Sequence, residues 1–343
     1  MSDDSPILAA GPLGTHFQTQ DPFLFCAYHR DDYPAGQANQ GPQRELLRGR
    51  DIGMDFAGRD GWSMYHGDVV PGFPQHPHRG FETITVTRKG YCDHADSLGA
   101  TARFGPGDGQ WMTAGKGIVH SEMFPLRERD ADNPLELFQI WLNLPARGKL
   151  VPPHFTMLWR EETPVHRVAD AAGRVTTLTT FVGAYEGVEP TAPPPDSWAS
   201  EPASHVAVWS LDLSPGARFV LPPAPAVATR SLYFHAGADL DVAGQRFREP
   251  AQIFVQPAAA LTLQAGDRGA ELLMLQGRPL GEPVAHHGPF VMNTRAELQQ
   301  AFLEYQRTRF GGWPWDREGV VHPRAQGRFA RHADGRVEER DDR

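Results

Sequence analysis

At 343 residues, 40% of them apolar, the chain has the length and apolar content for two domains of ordinary size. A formal net charge of −9, with no concentrated run of Lys and Arg, argues against general nucleic-acid binding, which needs a basic surface to neutralise phosphate. Two cysteines, Cys26 and Cys92, cannot form a disulfide framework, the acidic start at Asp3 and Asp4 is unlike a secretory signal, and no apolar stretch reaches membrane-spanning length. The expectation is a cytoplasmic protein with two reduced, buried thiols and no membrane contact.

Taken in chain order, residues 17–140 read as short strands. Phe81 to Thr87 alternates and is β-branched, and it ends at Lys89-Gly90, where glycine permits a tight turn. Tyr91 to Ala95, Gln110 to Thr113 and Leu135 to Leu142 follow, separated by the turn signals Asp96-Ser-Leu-Gly99 and Gly105-Pro-Gly-Asp-Gly109. From about Leu150 to Ser204 the pattern is poorer and includes a rigid connector, Thr191 to Asp196. A second strand series then runs through Val206 to Leu213, Arg230 to His235, Ala251 to Val255 and Leu261 to Leu263. Two strand series without helices between strands predict an all-β chain of two tandem barrels. One helix is expected, because Thr294-Arg-Ala-Glu297 is a capping box and Leu298, Ala301, Phe302 and Tyr305 fall on one face, with Gly311-Gly312 as its stop. The expected ranges are 1–150 for a metal-binding barrel, 151–290 for a second barrel without metal, and 291–343 for the helix and a tail. Residues 317–343, polar and charged, read as a loosely packed tail without a functional part.

Two short motifs carry chemistry. In His76-Pro77-His78 and in His120-Ser121-Glu122 the polar side chains are two apart, so on a strand each pair points to one face. Each pair alone also fits ordinary strand polarity. Placed on adjacent strands, the two would bring four ligand atoms to one interior point. Three imidazoles and a carboxylate suit Fe(II), Mn(II), Ni(II) or Cu(II), while a closed zinc site more often uses cysteine. Four protein donors leave up to two positions of an octahedron for substrate or oxygen. His94 keeps the parity of an inward residue and fits equally a residue that orients a ligand and an ordinary solvated histidine; Gln110, Trp111 and Met112 are candidates for the cavity mouth, although Trp and Met on strands are more often plain core, and Phe73, Phe81 and Phe124 carry the same two readings. The second half holds His205, His235, His286 and His287 without a His-x-His pair. No phosphate loop follows from Gly105 to Gly109, which lacks the Lys-Ser/Thr, and no Gly-x-Ser-x-Gly elbow is present.

The segments His76-Pro-His-Arg-Gly-Phe-Glu-Thr83, Asp96-Ser-Leu-Gly99, Gly105 to Gly115, Gly117-Ile-Val-His-Ser-Glu122, Leu137 to Leu142 and Gly288 to Thr294 together resemble the pirin family of the cupin superfamily. The resemblance implies two tandem cupin (jelly-roll) barrels, with iron in the first. It places the ligand set on His76, His78, His120 and Glu122, with Mn, Ni, Cu or Zn as other occupants. Many cupins instead take their carboxylate from the position of Glu82, which keeps strand parity with His78 unless Arg79-Gly80 breaks the strand; the pirin pattern selects Glu122. The resemblance also implies an activity of the quercetin 2,3-dioxygenase type, in which a flavonol is cleaved with O2 and Glu122 is the catalytic base. Its alternatives are a redox-sensitive iron protein acting through a protein partner and, more weakly, a metal store.

Overall fold

Alternating and β-branched sequence becomes short strands throughout residues 5–342, the part described by the computed structural model. The architecture is all-β, with one α-helix at Arg295–Thr308. Two compact units form, and each draws on separate stretches of chain. No helix is long and apolar enough to cross a membrane.

The unit built mainly from residues 158–281 carries a seven-stranded sheet in the order Ile7–Pro12, Ala251–Val255, Thr229–Gly237, Ala270–Gly277, Ala207–Leu213, Val175–Val182, Val165–Ala169. Four further strands, Arg218–Leu221, Leu261–Ala265, Leu240–Val242 and Gln245–Phe247, make a second sheet. Cross-strand register sets Leu178, Leu211, Leu272 and Phe234 in one row, and all four are fully buried. Each such side chain stabilises the fold by roughly 1.5–3 kcal/mol through apolar burial, so an uninterrupted apolar row accounts for this core.

The other unit comprises residues 28–139, 144–157 and 282–343. One of its sheets has the order Val337–Arg340, Arg328–Arg331, Thr101–Phe104, Cys92–Asp96, Ile118–Met123, Gly72–His78. In another, Gly109–Thr113 and Asn133–Asn143 flank Phe81–Lys89. The chain break between the two sheets comes at Gly80, whose φ of +84° and close approach to the Val291 carbonyl exclude a side chain. The helix begins as expected: the Thr294 side chain accepts from the Glu297 N–H (3.2 Å), and Glu297 accepts from the Thr294 N–H (2.8 Å). It ends at Thr308 with Arg309 left-handed, before the two glycines, and its apolar face packs on Phe290, Met292 and Phe310.

Two features depart from the sequence reading. Consecutive ranges 1–150, 151–290 and 291–343 describe strand order but not packing, because the Ile7–Pro12 strand pairs with Ala251–Val255 and residues from 282 onward pack with the first barrel. The tail is not loose. Arg328–Arg331 pairs with Thr101–Phe104 and with Val337–Arg340, so it extends the sheet that bears the two motifs. Its charge concealed this: Arg328 is fully buried and satisfied by Asp108 at 2.7 Å, and Phe329 and Ala330 supply the apolar contact.

Candidate metal centre

The His76 strand, Gly72–His78, lies antiparallel to the His120 strand, Ile118–Met123, with Phe73 opposite Glu122 and His76 opposite His120. Three residues thus span what two span on the partner. This β-bulge at Pro74-Gln75 brings His76 into register with His120, and it tolerates a proline that has no N–H to donate to the ladder. On the other side, Cys92–Asp96 sets Asp96 opposite His120 and His94 opposite Glu122. Directly paired residues share a face. Two rows result, His76–His120–Asp96 and Phe73–Glu122–His94.

The rings of His76, His78 and His120 converge, with centroids 4.4 Å (76–120), 4.8 Å (76–78) and 4.9 Å (78–120) apart. Their candidate donor atoms all lie within 4.8 Å of one another. The Pro74 carbonyl, which can only accept, lies 2.9 Å from His76 Nδ1 and fixes the proton there, so Nε2 keeps its lone pair. His78 is hydrogen-bonded to the Pro289 backbone. Neither ring nitrogen of His120, which is fully buried, has a hydrogen-bond partner among the described residues. An orphaned buried imidazole costs stability unless something binds it, and neutral nitrogens facing one point suit a metal ion. The residues present therefore fit the metal that the fold family implies.

Burial pushes the pKa of His76 down to about 4 and those of His78 and His120 well below the usual histidine value, so all three are neutral donors at pH 7. In metal-free protein these groups stay unprotonated while the unfolded chain binds protons below about pH 6.5. Stability is then full above that pH and is lost as pH falls towards 4. Glu122 and Asp31, both raised by burial, act in the opposite sense, but with His322 also lowered they are two groups against four. Urea unfolding midpoints of metal-free protein are expected to fall steadily from pH 7 to pH 5; a flat profile over that range would contradict neutral, buried imidazoles.

Glu122 stands beside the cluster, its Oε2 4.0 Å from His120 Nε2. Thr85 donates to its Oε1 (3.0 Å) and Gln139 Nε2 to its Oε2 (3.1 Å), both from strands of the facing sheet. Glu82 lies elsewhere: beyond the Gly80 break it pairs in register with Thr113, whose hydroxyl donates to it at 2.6 Å. Of the two carboxylates considered, only Glu122 adjoins the histidines. His94 is fully buried with its ring 5.5 Å from that of His120 and its Nε2 held 3.2 Å from Asp96 Oδ2. Thr85, Gln139 and Asp96 were not identified from sequence. They are ordinary strand and turn residues whose place follows from how two sheets face each other, and no local pattern marks them.

Gln110, in register with Thr85, shares its face, and its Nε2 has no partner among the described residues. Trp111, Met112 and Phe81 are fully buried, Phe81 with its ring 5.0 Å from His78. Of the three clustered histidines only His76 is partly exposed, so approach comes from its side. There Phe73 lies 6.3 Å from His76, Tyr65 stacks on Phe73 at 5.1 Å, Phe124 meets Phe73 edge-on at 6.1 Å, and the half-exposed Phe56 meets Tyr65 at 5.4 Å. In the other half, His286 and His287 are exposed, His205 sits in a left-handed turn and His235 is buried.

Residues 9–142 match the pirin family and residues 208–311 match the pirin C-terminal cupin domain. The chain belongs to the pirin family. It is 38% identical over 250 residues to a pirin-like protein of Caulobacter vibrioides, covering 71% of this chain and 82% of that one. It is 33% identical over 257 residues to pirin of Homo sapiens, with 72% and 80% covered. A Pseudomonas aeruginosa protein provisionally named as a quercetin 2,3-dioxygenase is 37% identical over 241 residues, with 70% and 79% covered. Among solved structures, quercetin 2,3-dioxygenase of Acinetobacter baumannii superposes with a TM-score of 0.70 at 24% identity, over 89% of this chain and 98% of that one. At that identity the likeness shows the shared fold: two cupin barrels, here in a pirin-family chain.

Proposed function

We propose that this pirin-family chain is a metal-dependent dioxygenase that cleaves quercetin or a related flavonol with O2, releasing carbon monoxide. His76, His78, His120 and Glu122 would hold one Fe(II). The observation that carries the reading is the convergence of three neutral imidazoles, two of them buried and one without a hydrogen-bond partner among the described residues, beside a buried carboxylate. Fe(II) would supply Lewis-acid and redox chemistry at positions that four protein donors leave open.

The chain's own residues perform the rest. Glu122 takes the proton of the flavonol 3-hydroxyl, as a buried carboxylate beside the histidines. Thr85 and Gln139 hold its two oxygens so that it faces the histidines. Phe73, Tyr65 and Phe124 offer ring faces and edges to a planar aromatic substrate on the open side of His76 and exclude water from it. Fe(II)-loaded protein incubated in air with quercetin is expected to bleach the flavonol band and consume O2, and Glu122→Gln to lower kcat by about 100-fold or more. Turnover no faster than that of metal-free protein would overturn the activity and leave the role through a protein partner standing.

A further inference from the structure

The C-terminal family match stops at residue 311, yet the chain beyond it lies directly on the strands that carry the histidines. On the His120 strand the outward residues Val119, Ser121 and Met123 are as buried as the inward His120 and Glu122. Residues 310–323 supply part of that cover. Gly117, at the start of the strand, is against the Phe310 ring, where a Cβ would stand 2.6 Å from its nearest atom, and Gly319 lies against the Met123 thioether.

The same segment grips both neighbouring strands. The Trp315 indole N–H donates to the Asp96 carbonyl at 2.8 Å. The Gln75 backbone N–H, next to His76, donates to the Glu318 carbonyl at 2.8 Å. The His322 N–H donates to Asp93 at 2.8 Å, and its ring pairs with Thr101 at 2.9 Å. Residues 315–318 therefore bridge the Asp96 strand and the His76 strand across the His120 strand. Asp96 is opposite His120 and holds His94, so its placement bears on the whole inner row.

We propose that residues 315–323 are a clasp that sets the spacing of the two ligand-bearing strands and of the Asp96 strand beside them, and that Trp315 is a positioning residue for the metal. The proposal rests on the reading of His76, His78 and His120 as ligands. Donor atoms on two strands meet a common ion only if those strands, and the Asp96 strand that backs them, hold their separation. Losing a contact to a ligand itself commonly changes metal affinity by about 10–100-fold, and Trp315, which acts one residue further out through Asp96, is expected at the lower end of that range.

The test uses full-length protein loaded with Co(II), whose visible bands report coordination geometry, and measures release to a competing chelator. Trp315→Phe keeps the ring and removes the donor; it is expected to release Co(II) about tenfold more readily, with shifted bands. Tyr33→Phe is the matched control, since it also removes a donor to a buried carbonyl, that of Ser63, away from the clasp. It should bind as wild type does. Trp315→Phe with wild-type affinity and spectrum, or with a loss no greater than that of Tyr33→Phe, overturns the clasp. Should Trp315→Phe not fold, Gly319→Val, which wedges the segment off Met123, decides by the same comparison. Wild-type protein that binds no Co(II) overturns the ligand reading itself, a distinct outcome.

Discussion

His120→Ala is expected to remove metal binding while leaving the metal-free fold nearly as stable as wild type. His120 sits at the centre of the row, opposite both His76 and Asp96. Loss of a ligand should exceed the 10–100-fold effect of losing an outer contact, so affinity is expected to fall by at least about 100-fold. Stability responds differently with and without metal. In metal-free protein the substitution creates a cavity, but it also removes two buried nitrogens that have no hydrogen-bond partner among the described residues, and a buried unsatisfied polar group costs about 1–3 kcal/mol. The two effects have opposite sign. With metal at about 100 times its Kd, wild type gains about 2.7 kcal/mol that the variant cannot. Elemental analysis and thermal unfolding with and without metal test both halves. A variant that retains one metal per chain, or still melts later on adding metal, would remove His120 from the ligand set.

The largest loss of stability is expected from Arg103→Ala. Arg103 and Asp93 are both fully buried, and Nε–Oδ1 and NH2–Oδ2 bonds of 2.6 and 2.7 Å join them. The same guanidinium donates to the carbonyls of Pro323 and Gln326 at 2.9 Å and of His322 at 3.0 Å. Removing it leaves a buried carboxylate and three carbonyls to find new partners. Breaking a buried pair from one side costs about 3–5 kcal/mol, a large share of the 5–15 kcal/mol typical of a folded domain. Replacing both partners, as in Arg103→Met with Asp93→Leu, should recover much of that, because no charge is then stranded. Arg336→Ala, on an exposed cation of the same tail, should change stability by less than about 1 kcal/mol. Denaturant unfolding of the three variants checks the order; an Arg103→Ala loss as small as that of Arg336→Ala would mean the tail is not anchored here.

Much of the site could be read from the chain alone, for a local reason. Side chains alternate along any extended backbone, so His76 with His78, and His120 with Glu122, had to share faces once their segments were strands. The capping box at Thr294 is likewise complete within four residues, and it formed as expected. In the apolar row at Leu178, Leu211, Leu272 and Phe234, only Leu211 and Phe234 lie on strands legible from their own alternation; the strands of Leu178 and Leu272, and the register that joins all four, are not.

Other parts depended on which segments became neighbours. The bulge at Pro74-Gln75 is visible only once the His120 strand is beside it, and without it His76 would be one residue out of register. Thr85 and Gln139 reach Glu122 from the facing sheet, and Gly80 carries Glu82 away to another strand. The tail reads as loosely packed because hydropathy counts its arginines as solvent-seeking, whereas Arg328 meets Asp108 in the interior and the tail's carbonyls meet the buried Arg103. Sequence by itself thus determined the strand parity, the helix start and which candidate ligands share a face, all set by backbone geometry over a few residues. Tertiary structure alone decided the register, the carboxylate's partners and the course of residues 312–342, because pairing and charge compensation join positions far apart in the chain.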